Sequence, residues 1–371
     1  MRGVILAMVA LTLRAGAVEE VYNVMDYGAV ADGQTLCTVA LQKALDTAGA
    51  AGGGTVRFPA GTFLSGALLL RSGLTLQFDA GATLLGSRDL KDYYLPAPPG
   101  AEKPGPVFRN LLHGEGVHDV TLRGAGVIDG NGSAFRDDKQ RRPKNLFFEK
   151  CANILVDGLR LRASGSWMQN YRLCTNVVIH GIAVFNHVTF NNDGLDIDSS
   201  QNVVISDCHV DSDDDGICLK STSGTPCRNV TISNCVVSSH CNALKMGTES
   251  GGGFRNIQIV HCTVFSPTNS QVIYGHQRGL AGIALEIVDG GTMENVSVRE
   301  VRISGVSAPI FMRLGDRGHL CHRPAAGRGP PSPGAAQEHH GRKLLDARLR
   351  HRRPAGASDR GRAAAKHQPR F

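Results

Sequence analysis

NVVISDCHVDSDDDGICLKSTSGTPCRNVTISNCVV, residues 202–237, contains one nine-residue unit twice: NVVISDCHV from Asn202 and NVTISNCVV from Asn229. Each copy is an asparagine, then β-branched residues alternating with polar ones, then a short turn and another apolar pair. Alternation of this kind specifies short, half-buried strands. The unit recurs outward as NILVDGLRL at Asn153, NVVIHGIAV at Asn176, NIQIVHCTV at Asn256 and NVSVREVRI at Asn295, with spacings of 23, 26, 27, 27 and 39 residues. The last spacing is either a coil with a loop insertion or a coil whose signature is lost. A period in this range, without helical periodicity between units, means a solenoid. Short strands stacked in parallel about 4.8 Å apart with right-handed connections give an all-β fold, a right-handed parallel β-helix.

The chain before the repeats fits as its closed end. Thr35–Ala50 reads as an amphipathic helix with a threonine cap, stopped by Gly52, Gly53 and Gly54, and it is expected to cover the first coil. About ten coils of roughly 26 residues then fill residues 55–318. Cys208, Cys235 and Cys262 fall at one place in three successive units and are expected to stack inside the core as small hydrophobes. No cysteine spacing resembles a zinc site, and neither a metal nor a cofactor is expected.

The 371 residues divide into three parts. Residues 1–17, with Arg2, an apolar run Val4–Leu13 and Ala15-Gly16-Ala17, read as a secretory signal, so a secreted or periplasmic protein is expected. That run is too short to cross a bilayer, which takes about 20 apolar residues. Residues 18–318 are the β-helix. Residues 319–371 hold 12 Lys+Arg against 3 Asp+Glu and no Val, Ile or Thr, whereas residues 1–318 hold 28 against 30. The net charge of +7 therefore belongs to the tail and is no property of the folded part. The tail reads either as a disordered basic arm or, the preferred reading, as GC-rich codons translated out of frame. It lacks the aromatic interleaving of a nucleic-acid surface, so neither nucleic acid nor membrane is expected as a partner.

One acidic cluster remains to be explained. NNDGLDIDSS, residues 191–200, and DSDDDGICLKS, residues 211–221, set carboxylates beside apolar strands one coil apart. Stacking brings Asp193 beside Asp214 and Asp215 on one outer face. A solvated acidic turn or a calcium site would use the same residue types.

The residues also carry a resemblance. VYNVMDYGAVADG, the Gly52–Gly54 run and VRFPAGTF are similar to the start of pectin-degrading β-helix enzymes, and Asn191-Asn192-Asp193 with Asp214-Asp215-Gly216 resembles glycoside hydrolase family 28, the polygalacturonases. The resemblance covers roughly residues 20–318. It implies hydrolysis of a pectic polysaccharide with inversion, without cofactor, by a monomer. Asp214 is then the general acid, while Asp193 and Asp215 position and deprotonate a water. Repulsion among the three would keep one carboxyl protonated near neutral pH. Asn191 joins them as a substrate-binding residue. Asp196, Asp198, Asp211 and Asp213 match no role and are expected to be solvated.

Two family motifs depart from the pattern. In SHCNALKMGTES, Asn242 stands where the family has its histidine, and His240 can replace it only by a shift of register. In AGIALEIVDGG, Ala284-Leu285-Glu286 stands where the family has Arg-Ile-Lys, so Glu286 faces the subsite that otherwise binds a sugar carboxylate. Lys220, Lys245 and Arg313 are the candidates to restore a cation there, against the reading of each as an ordinary solvated charge. Trp167, the only tryptophan, could stack on a sugar or pack against a loop. Two alternatives stay open: calcium-dependent eliminative cleavage, and a non-catalytic carbohydrate-binding solenoid.

Overall fold

The first-sheet strand of each coil bends near its start, and asparagine is among the few residues that adopt left-handed backbone at low cost. Asn153, Asn176, Asn202, Asn229, Asn256 and Asn295 all have φ between 53° and 57°. Their side chains stack as an exposed ladder: each amide donates to the one below at 2.9, 3.1, 3.0, 3.0 and 3.0 Å, and Asn153 donates to Asp119 at 2.8 Å. The asparagine that opens each repeat is therefore both a bend and a rung-to-rung link. Asn202→Ala loses two ladder bonds and strains the bend, so urea unfolding is expected to show about 1–2 kcal/mol of lost stability, with Asn202→Gly costing less.

The computed structural model describes residues 20–97, 105–138, 141–268 and 272–317. The export signal read over residues 1–17 and the basic tail, 319–371, lie outside the described residues. The rest is a right-handed parallel β-helix of three sheets, with ten, nine and ten strands. One rung is Gln201–Ser206 in the first sheet, His209–Ser212 in the second and Ile217–Ser221 in the third. The next is Cys227–Ser233, Val236–Ser239 and Asn242–Ser250. Register stacks like on like: Val203 on Val230, Ile205 on Ile232, Val210 on Val237, Ile217 on Leu244. All eight are buried, forming one continuous core.

The long last spacing is settled by pairing. Ile257 lies in register with Val296, so the rungs of Asn256 and Asn295 are direct neighbours. The extra residues form an insertion between strands Thr263–Phe265 and Ala281–Ile287.

The capping helix runs Thr38–Ala50, with Leu41, Ala44, Leu45 and Ala48 buried. Its start differs from expectation: Cys37 is the N-cap residue, without a side-chain cap bond. Thr35 instead lies in strand Asp32–Leu36 and bonds Asp32 through its backbone N–H and its hydroxyl, at 2.8 and 2.7 Å. Gln42 fastens the helix to the first rung through Leu69, donating to its carbonyl and accepting from its N–H at 3.0 and 2.8 Å. Cys208, Cys235 and Cys262 are buried as expected, and the cysteines among the described residues are free.

Candidate active site

The turns between the second and third sheets carry the chemistry. In the third sheet, Leu195–Asp198, Ile217–Ser221 and Asn242–Ser250 lie side by side, which stacks Asp193, Asp215 and Asn242 at their entrances. Backbone bonds fix that stacking: Gly194 N–H donates to the Asp215 carbonyl at 2.8 Å and Gly216 N–H to the Asn242 carbonyl at 2.9 Å. One carboxylate oxygen each of Asp193 and Asp215 lies within 4.8 Å of the other. The coil period thus unites acids 22 residues apart in sequence.

Each of the three predicted catalytic acids has a different environment. Asp214 sits on a braced turn. Its backbone N–H donates to Asn192 Oδ1 at 3.1 Å, and its carbonyl accepts the Ser212 and Ser239 hydroxyls at 2.9 and 2.5 Å. Its carboxyl accepts the Asp215 N–H at 2.9 Å, with the Cys241 thiol beside it. Burial first, then the charges of Asp193 and Asp215, push this carboxyl up to about 8, so it holds its proton at neutral pH. Asp215 has the opposite surroundings: Oδ2 accepts from Lys245 Nζ at 2.8 Å, and Oδ1 accepts from the Asn242 side chain at 2.8 Å. Asp193 Oδ2 faces Lys220 Nζ at 3.3 Å, while burial raises its pKa.

Asn242 stands beside Asp215 as a donor that cannot titrate. His240 is fully buried behind it. Asn191 is not brought to the carboxylates: its Oδ1 accepts from Arg142 at 3.0 Å, and Asn192 is the residue that braces Asp214. Glu286 is buried, 3.9 Å from Lys245 Nζ, and Arg313 stands opposite it on the neighbouring strand. Burial raises the Glu286 carboxyl.

Several expectations of solvation are corrected. Lys220, 4% exposed, lies between Asp193 and Asp196, 3.3 Å from each, and Lys245 is also largely buried. Asp196, Asp198 and Asp213 are buried as well. Asp198 accepts the Thr222 N–H and hydroxyl at 2.9 and 2.6 Å. Asp213 accepts the Ile273 and Tyr274 N–H groups, both at 2.7 Å, from the insertion that folds over this edge. Asp211 is half-buried against His187, at 2.9 Å. Arg313 is exposed.

Lys144, which the sequence did not single out, completes the cleft together with Trp167 and Lys220. Lys144 and Lys220 each place an ammonium over the Trp167 ring, 4.5 and 4.6 Å from its centroid, which draws Trp167 into the site. Burial lowers Lys144 to about 8. Toward the N-terminal rungs a cavity of about 400 Å³ opens, lined by Arg109, Arg141, Arg142 and Lys144 against Glu115 and Glu149, a net basic surface. Three basic residues in RRPK, 141–144, were the available signal.

Comparison with known proteins agrees with this architecture. Residues 51–315 match the sequence profile described as Glycosyl hydrolases family 28. The chain is 34% identical over 215 residues to a probable polygalacturonase of Vitis vinifera, a match covering 54% of this chain and 44% of that protein. It thus spans less than half the length of that relative. In structure it is similar to the polygalacturonase of Erwinia carotovora, with TM-score 0.63, 20% identity, and 82% and 84% of the two chains covered. It is also similar to an exopolygalacturonase of Thermotoga maritima, with TM-score 0.60, 20% identity, and 80% and 91% covered. At that identity the structural likeness bears on the fold alone.

Proposed function

This chain belongs to glycosyl hydrolase family 28, and from that membership we propose that it hydrolyses glycosidic bonds of a pectic polysaccharide by single displacement with inversion, as a secreted monomer. The observation that carries the reading is the unequal treatment of adjacent carboxyls: Asp214 buried and pushed up to about 8, Asp215 clasped by Lys245 and Asn242. A proton donor beside acceptor carboxylates is what acid–base hydrolysis of an acetal requires. Asp214 protonates the leaving oxygen. Asp193 and Asp215 orient a water and take its proton as it attacks the anomeric carbon from the opposite side. Lys220 and Lys245 hold those two acceptors in place.

The charge layout bears on the sugar. Glu286 stands where the family binds a carboxylate by cations, and Lys245, its nearest ammonium, is already engaged by Asp215. Arg109, Arg141, Arg142 and Lys144 lie instead toward the N-terminal side, Lys144 two rungs, roughly 10 Å, before Asp193. We therefore read the substrate as acidic in the sugars bound over those rungs and not constrained to a uronate beside Glu286. The eliminative alternative needs carboxylates free to gather calcium, and the ones here already face Lys220 and Lys245.

The test is to incubate purified protein with polygalacturonan, rhamnogalacturonan and a neutral pectic side chain, following reducing ends and the first-formed product anomer by NMR. Inverted product from an acidic polymer is expected. Retained anomer, an unsaturated product absorbing in the ultraviolet, or binding without new reducing ends would each overturn the reading.

A further inference from the structure

Beneath the catalytic turn lies a second cluster that the proposed reaction does not use: His187, Asp213 and His240, all buried, with one donor atom from each within 4.8 Å of the others. They come from three successive rungs, 26 and 27 residues apart, so the coil period and no local motif assembles them.

The hydrogen bonding around the two imidazoles is specific. His187 Nε2 meets Asp211 Oδ1 at 2.9 Å, and His240 Nδ1 meets the His276 carbonyl at 3.0 Å. Both partners are acceptors, so those two nitrogens carry the protons. The opposite nitrogens, His187 Nδ1 and His240 Nε2, then bear lone pairs, and both are buried without a hydrogen-bond partner. The two rings stand edge to face at 89°, centroids 5.5 Å apart. Two buried, unsatisfied nitrogen lone pairs beside a carboxylate are costly to leave bare. An imidazole whose remote N–H is held by a carboxylate or carbonyl is the arrangement that orients histidine toward a metal.

We propose that His187, Asp213 and His240 bind one first-row divalent transition ion of the zinc type, through His187 Nδ1, His240 Nε2 and an Asp213 oxygen. Bond lengths of 2.0–2.2 Å put neighbouring donors about 3.4 Å apart, so closure from the present positions needs movement on the order of 1 Å. Nitrogen and carboxylate ligands favour zinc, cobalt or nickel over calcium or magnesium, which take all-oxygen sites. The ion ties together the three turns that carry Asp193, Asp214 and Asn242, while the insertion, through Ile273 and Tyr274 N–H on Asp213, supports the third ligand. Its role is to hold the catalytic turns in register; the acids and the attacking water do not touch it.

Full-length protein stripped with chelator and titrated with CoCl2 should take up one tight equivalent, with visible d–d bands and a rise in melting temperature that CaCl2 does not produce. His187→Ala and His240→Ala should lose both signals. Asp211→Asn, which touches no proposed ligand except through the His187 ring, should weaken binding about 10–100-fold. That variant decides the matter if the histidine variants do not fold. It also separates this site from the histidines of residues 319–371, whose binding would not respond. Absence of a tight equivalent in folded wild-type protein, or uptake unchanged in Asp211→Asn, would overturn the proposal, whatever the outcome of the glycan assays.

Discussion

Asp214→Asn is expected to lower kcat about 10²–10⁴-fold with little change in substrate affinity, the usual range for removing a general acid. The substitution keeps an oxygen to accept the Asp215 N–H, so the turn braced by Ser212, Ser239 and Asn192 is preserved. Wild-type kcat/KM should fall above about pH 8 as Asp214 loses its proton. Stability carries the same signature. An unfolded aspartate releases its proton near pH 3.9, while the folded Asp214 retains it to about 8. Between those values the unfolded state gains from ionising and the native state does not, so stability declines as pH rises from about 4 to about 8. Asp214→Asn removes that decline. Melting curves at pH 5 and pH 8 should show the inactive variant gaining on wild type at the higher pH. A variant that keeps most of its kcat would dismiss Asp214 as the acid.

Lys220→Met should have the largest effect on folding. Lys220 is the ammonium shared by Asp193 and Asp196, with Glu249 at 3.4 Å. Its removal leaves two carboxylates in a dry setting, and breaking a buried pair in this way costs about 3–5 kcal/mol. Burial already raises the Asp196 carboxyl, and neither of its oxygens has a hydrogen-bond partner. Adding Asp196→Asn to Lys220→Met should therefore recover part of the loss, a coupling that urea denaturation of the single and double variants measures directly. Independent, additive losses would mean that Lys220 acts by packing alone.

The repeat was legible because a period of 26 or 27 residues, an opening asparagine and alternating strands all state one geometry. The meeting of Asp193 with Asp214 and Asp215 followed, since acids on successive rungs must stack. What a linear reading could not see was what covers the stack. Asp196 and Asp198 look solvated on a strand of alternating polarity, yet Lys220 and Thr222 arrive from the next rung to enclose them. Asp213 is sealed by Ile273 and Tyr274, sixty positions away in an insertion that the spacing only hinted at. Trp167 joins the cleft through two lysines, one of them outside any matched motif. Asn191 was assigned to the substrate by its place in a motif, whereas Arg142, reaching across two rungs, claims its side chain.

The buried sulfurs carry a last consequence. Cys208, Cys235 and Cys262 contribute to cohesion as hydrocarbon does; the hydrogen bond with Cys208, helped by burial, pushes Cys235 up to about 12, while the same contact shifts Cys208 down. All three sulfurs are buried, which keeps oxidants and alkylating agents away from them while the coils are closed. The nine cysteines among the described residues are free and buried, so loss of native winding would announce itself as the sudden appearance of titratable sulfhydryls.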